Sequence, residues 1–286
     1  MGRKALFLGD LIDRGPQNIE VVRTAKAMCE AGEAVCLMGN HELNAIHYAT
    51  PDPMREGEFL RPHSAKNLKQ HRVFLDEYKF EQDLLAEHLD WFKTLPLWID
   101  HAEFRAVHAC WNEPRMALFD ERMANGLVRP NDFWIDTATP GDALMDAVEV
   151  ILKGPEIQLP QGVSYTDKDG NRRTVARCQW WGEQRDWRST VWAWESVYRE
   201  LDKHAYSPPS ENWTDRDHRP VFFGHYWMTP HEGSPRLISE RAACLDFSIG
   251  KGAGGLLGVF RWDFGAGLDP GKLLGFGFNR CGPSQC

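Results

Sequence analysis

Four places in this sequence set a side chain of a metal-ligating type directly after a short apolar run. They are Gly9-Asp10-Leu11-Ile12-Asp13-Arg14-Gly15, Gly39-Asn40-His41-Glu42, Val107-His108-Ala109 and Gly224-His225. A carboxylate, a carboxamide and two imidazoles form a mixed oxygen and nitrogen donor set. Such a set suits Mn, Fe or Zn better than Ca or Mg. The glycines before Asp10, Asn40 and His225 are expected to let the backbone turn sharply beside the site. Taken singly, each place has a plainer reading. Asp10 and Asp13 can be a turn and a helix cap, Asn40-His41 a turn with a surface histidine, and His108 and His225 core or edge histidines. The case rests on four such places in one chain.

The elements that must position them can be read from periodicity. ALFL at 5–8 is a continuous apolar run closed by Gly9, as in a strand buried on both faces. Asn18 is placed to cap a helix running to about Glu30, with Ile19, Val22, Ala25 and Cys29 on one stripe. AVCLM at 34–38 is the next strand. Strand, helix and strand at this spacing predict a βαβ unit with a parallel pair. Residues 43–95 are polar and rich in helix formers, with Leu85, Leu89 and Phe92 on one stripe, and predict a helical insert. Two short strands follow in LPLWIDHAEFRAVHA, then a helix over 142–153 and a hairpin over 163–177 with Asp-Gly as its turn. PVFFG, AACLDF and LLGVFRW read as further strands. The order predicts an α/β chain with a two-layered β core flanked by helices. In open α/β sheets, ligands gather at the carboxyl ends of strands, which is where all four places fall.

GDLIDRG, GNHE, a strand-end histidine in HAC, and GH, in this order, resemble the calcineurin-like metallophosphoesterases. The similarity leans toward the branch of Ser/Thr protein phosphatases and bacterial diadenosine tetraphosphatases. CLDFSIGKGAGGLLGVFRW adds to the resemblance, which spans residues 5 to about 263. It implies a metallophosphoesterase-type β-sandwich core in one domain over 1–286, with the insert at 43–95 and a flexible tail at 264–286. It implies metal ligands at Asp10, Asn40, His108 and His225, with Asp10 bridging two ions. It implies phosphate contacts from Arg14 and Asn40, the planar fork of Arg14 suiting that task. It also implies a catalytic group of His41, Asp13 and Arg14, in which His41 protonates the leaving oxygen and Asp13 orients it. The reaction implied is hydrolysis of phosphate monoesters or nucleotide phosphoanhydrides by a metal-bound hydroxide. A second phosphate-binding arginine is usual in that branch, and Arg177, Arg185 and Arg188 are the candidates.

The family opens with a strand ending in Asp-x-His, which holds the first metal together with the bridging aspartate. MGRKALFL contains no such motif. One strand and one helix are therefore expected to be missing, through a late start codon or a truncation. The remaining donors form one four-ligand site, so two ions are expected in a complete enzyme and as few as one here. The alternative function is a catalytically impaired pseudo-phosphatase that binds phosphate or a partner. HAC departs from the Gly-rich pattern usual after this histidine, and Cys110 is a weak candidate for perturbing or sensing the metal.

Composition excludes several classes. With 33 basic and 41 acidic residues the net charge is −8, so extended nucleic-acid binding is not expected. A small phosphorylated substrate or a phosphoprotein is. No run is long and apolar enough to span a membrane, and MGRKALFLGD is no signal peptide, which favours the cytoplasm. Seven irregularly spaced cysteines read as reduced thiols, with Cys281 and Cys286 in the tail. Trp180, Trp181, Trp187, Trp192 and Trp194 form either a stacking wall for adenine or, as favoured, packing material. Asp246 reads equally as a substrate-side residue or a turn. His47, His63, His71, His88 and His101 are expected at the surface.

Overall fold

The computed structural model describes residues 2–120, 131–166, 170–211 and 217–277. The predicted βαβ unit is present. Strand β1 (Ala5–Phe7) leads through helix α1 (Asn18–Glu30) to β2 (Ala34–Cys36). β1 and β2 pair in parallel, Ala5 opposite Ala34 and Phe7 opposite Cys36. The helical insert follows as α2 (Asn40–Ala49), α3 (Ala65–Glu77) and α4 (Gln82–Thr94). It begins earlier than expected, because Asn40, His41 and Glu42 already form the first turn of α2.

The antiparallel pair β3 (Trp98–Asp100) and β4 (Arg105–Val107) comes next. Helices α5 (Glu113–Asp120), α6 (Asn131–Asp136) and α7 (Ala143–Lys153) follow. Strands β5 (Glu156–Gln158), β6 (Tyr165–Thr166), β7 (Arg172–Arg173), β8 (Val175–Cys178) and β9 (Val191–Trp192) continue the chain, with the short helix α8 (Trp187–Thr190) before β9 and α9 (Glu195–Leu201) after it. β6 and β7 are the expected hairpin; residues 167–169 of its turn lie outside the described residues. The last strands are β10 (Val221–Phe223), β11 (Ala242–Cys244), β12 (Asp246–Phe247), β13 (Leu256–Phe260) and β14 (Leu273–Gly277). The tail expected from residue 264 thus carries a strand, because Leu273 to Gly277 pair antiparallel along the whole of β13.

The architecture is α/β with mixed sheets flanked by helices. β11, β10, β4 and β3 form one sheet, parallel except for β3. Successive side chains of a strand point to opposite faces, and here both faces are dry. Cys36, Met38, Val107, Phe223 and Cys244 point into the main core among the helices. Leu37, Ala106, Phe222 and Ala243 point the other way, onto Leu245, Phe260 and Trp262 of the C-terminal strands. Burial on both faces explains why these strands read as continuous apolar runs. The outer face of β13 and β14 is apolar as well: Leu257 lies opposite Phe276 and Val259 opposite Leu274, all exposed.

The tryptophans are mostly packing. Trp180 and Trp187 are buried, and their indole N–H groups donate to the carbonyls of Ala109 and His204. Trp181 lies against Phe223 and Tyr226. Cys36, Cys110, Cys178 and Cys244 are buried free thiols, while Cys29 is partly exposed. Burial pushes the thiol of Cys178 up to about 12 and those of Cys36 and Cys244 upward too. Cys281 and Cys286 lie outside the described residues. Among the described residues, no helix is long and apolar enough to cross a membrane.

Candidate metal centre

The four expected ligands meet where parallel strands end. Asp10 follows β1, Asn40 follows β2, His108 follows β4 and His225 follows β10. Ligating atoms of Asp10, His108 and His225 all lie within 4.8 Å of one another. Asn40 joins them, its Oδ1 lying 3.2 Å from His108 Nε2. The convergence requires two glycines. A Cβ on Gly9 would fall on the backbone of Gly39, and one on Gly39 would fall on Asp10 N and its carboxylate. Gly9 also has φ +89°. Gly224 differs from expectation. A Cβ there would meet nothing nearer than 3.7 Å, and the left-handed turn is taken by His225 itself, at φ 68°. Asp10 is left-handed as well, at φ 58°. Non-glycine residues held in this region concentrate at functional sites.

Glu42 locks the two loops together. Its Oε2 accepts the N–H groups of Gly39 (2.8 Å) and Asp10 (2.9 Å), and its Oε1 that of Leu11 (2.8 Å). This is the back-reaching half of a capping box, three residues into α2. Asn18 does not cap α1 as expected. Its Oδ1 accepts the N–H of Asp13 at 2.7 Å, and the cap is supplied by Glu77 of α3, which accepts the N–H groups of Asn18 and Ile19.

The electrostatics of the donor set point to a cation. His108 Nδ1 donates to the Leu8 carbonyl at 2.5 Å. A neutral ring then turns its acceptor nitrogen, Nε2, toward Asp10 Oδ1 at 3.3 Å and Asn40 Oδ1 at 3.2 Å. Three acceptors facing one another need positive charge between them. Without an ion that charge is a proton: burial works against it, but the Asp10 carboxylate outweighs burial and raises the His108 pKa to about 9. Burial opposes ionisation of Asp10, yet His108 and His41 hold its pKa far below the usual carboxylate range. His225 is buried, and neither of its ring nitrogens has a hydrogen-bond partner among the described residues. Burial, with Arg177 and His108 nearby, holds it well below its ordinary pKa, hence neutral. A neutral, unpartnered imidazole beside a carboxylate has the form of a metal ligand. The residues present therefore fit one divalent cation.

The remaining expected residues frame this centre. His41 Nδ1 lies 2.5 Å from Asp13 Oδ2, and its Nε2 faces Asp10 Oδ2 at 3.9 Å. Arg14 is exposed at the rim, its guanidinium 5.0 Å from the centre of the Trp227 ring. Lys251, which sequence reasoning did not single out, lies 5.3 Å from the same ring. Of the three arginine candidates, Arg177 reaches the site, donating to the His225 carbonyl at 3.1 Å. Arg185 is paired with Glu183, and Arg188 with Glu195 and Asp202. Asp246 is the first residue of β12, and its carboxylate accepts the N–H groups of Trp227 and Ser248. Cys110 is buried and directs its thiol at the Trp111 carbonyl. His47, His71 and His88, expected at the surface, are buried. Each lies on an insert helix whose inward face binds the ring through Thr137, Asp13 and Tyr78 respectively.

A family model described as calcineurin-like phosphoesterase matches residues 2–150, that is 149 of 286. The chain belongs to this family. Its relatives include a symmetrical bis(5'-nucleosyl)-tetraphosphatase of Vibrio cholerae, 34% identical over 36% of this chain and 32% of the relative. An asymmetrical bis(5'-nucleosyl)-tetraphosphatase, PrpE, of Bacillus subtilis is 30% identical over 38% of this chain and 43% of the relative. A symmetrical enzyme of Aromatoleum aromaticum is 25% identical over 67% of this chain and 51% of its own length. The chain thus spans about a third to a half of the length of these three relatives.

Proposed function

We propose that this chain binds one divalent cation and a phosphate group, as the phosphate-holding part of a phosphoesterase centre whose own turnover is curtailed. The observation that carries this is the donor set itself. Among the described residues one group of three ligating side chains exists, and it contains the unpartnered imidazole of His225. Two-metal hydrolysis needs a second set. Asp10, Asn40, His108 and His225 would hold the cation, which when bound neutralises phosphate charge and polarises its oxygens. Arg14, with Asn40, offers the phosphate oxygens N–H donors at the rim. Arg177 and Lys251 add positive charge on the His225 side. His41 sits with Nδ1 held by Asp13, leaving Nε2 to give a proton to a departing oxygen.

A second reading is hydrolysis of dinucleoside polyphosphates, in favour of which stand the relatives' names. Thermal unfolding of wild type and His225→Ala with Mn or Zn, with and without inorganic phosphate, tests the first reading. Stabilisation by cation in wild type alone is the expected result, and no cation effect in wild type would refute it. Turnover of diadenosine tetraphosphate, measured beside a phosphopeptide, would favour the second.

A further inference from the structure

We propose that His71 is a positioning residue for the leaving-group histidine, fixing the Asp13 carboxylate so that it in turn fixes the ring of His41. The inference rests on the phosphoesterase reading for the role of His41, and on geometry for the rest.

The Asp13 side chain is 3% exposed, and its two oxygens are divided between two imidazoles. Oδ2 lies 2.5 Å from His41 Nδ1, and Oδ1 lies 2.6 Å from His71 Nδ1. An ionised carboxylate only accepts, so both contacts are N–H donations. A carboxylate held on one oxygen alone can rotate about its Cβ–Cγ bond and carry the ring of His41 with it. Held on both, it cannot. His71 is itself held: it stacks on Phe74 with centroids 4.6 Å apart, and Tyr48 lies at 5.4 Å. The supporting helix is tied to the same loop a second time, through the carboxylate of Glu77 on the N–H groups of Asn18 and Ile19. Helix α3 is thus a brace for the stretch from Asp13 to Ile19, and His71 is its contact with the carboxylate that holds His41. An imidazole suits this place because its ring N–H meets the second carboxylate oxygen while its flat face packs on Phe74.

The test separates donation from packing. His71→Asn keeps a donor near the Nδ1 position, while His71→Phe keeps the ring packing and removes the donor. Proton and nitrogen NMR of histidine-labelled full chain, without cation or substrate, reads the His41 Nδ1–H signal and its exchange with water. Wild type and H71N are expected to show the protected signal, and H71F to lose it or exchange it at least about tenfold faster, as local opening would allow. Should H71F fail to fold, His71→Leu, which also removes the donor while filling the buried space, takes its place. Unchanged exchange in the donor-free variant, or equal loss in H71N, overturns the proposal. Since the readout needs neither turnover nor metal, it stands or falls separately from the phosphoesterase reading.

Discussion

Replacing Glu42 by glutamine changes one atom at the point where two loops are fastened. The carboxylate is wholly buried and accepts three backbone N–H groups at 2.8, 2.9 and 2.8 Å. A glutamine oxygen can keep Gly39 and Asp10. Its nitrogen then faces the N–H of Leu11, donor against donor. One orphaned donor costs about 1–3 kcal/mol, and weakening two charge-assisted bonds to neutral ones costs roughly 1 kcal/mol each. Relief opposes this, since burial and the neighbouring Asp10 raise the Glu42 pKa and so disfavour its charge. The balance is a loss of about 3 kcal/mol. For a chain of 286 residues that is a fall in Tm of about 5 °C. Urea unfolding and calorimetry of E42Q against wild type at pH 7 measure it directly. A variant as stable as wild type would refute the reasoning, for it would mean that the three N–H groups do not depend on a charged acceptor.

Of the three glycines that precede site residues, Gly39 and Gly224 should part company. Gly39→Ala places a methyl group on Asp10 and should destabilise the chain by about 3 kcal/mol or more in urea unfolding, while Gly224→Ala, whose methyl group would meet Asp246 and His108 only at an ordinary 3.7 Å, should stay within about 1 kcal/mol. Acid should weaken the fold through His47, whose pKa burial, aided by Lys153 and Arg61, lowers to about 3. The folded chain keeps this ring neutral while the unfolded chain protonates near 6.5. Its stability is therefore intact above pH 6.5 and is lost as pH falls from 6.5 toward 3, by roughly 3–5 kcal/mol at most; His47→Gln should flatten that part of the stability curve. Arg14→Ala should weaken phosphate binding to the cation-loaded chain by about 1.5–3 kcal/mol, the strength of a hydrogen bond to a charged group, as read by calorimetric titration, with Tm unchanged in the absence of phosphate.

The βαβ unit and the four strand-end motifs were legible because local constraints write them. Two backbones that touch at Gly9 and Gly39 require glycine, and strands buried on both faces require unbroken apolar runs. The insert was less legible. Its helices could be seen, but which polar residues faced inward depends on what they pack against. A signal did exist for His71, which shares a helix face with Phe74 and Tyr78 at spacings of three and seven. Lys251 gave none, because its place beside Trp227 is made by the left-handed turns at Trp227 and Ser248. The three N–H groups gathered by Glu42 belong to two loops, and only the spacing from Gly39 to Glu42 hinted at one of them.

The sealed sulfhydryls supply a clock for the molecule's own breathing. Cys36 sits on β2, which leads to Asn40, and Cys244 on β11, beside the strand that leads to His225, while Cys110 and Cys178 are buried in the same core. An alkylating reagent can meet these groups only while the interior is open. Its slow uptake would time how often the strands around the cation part, with half-exposed Cys29 as the fast internal standard.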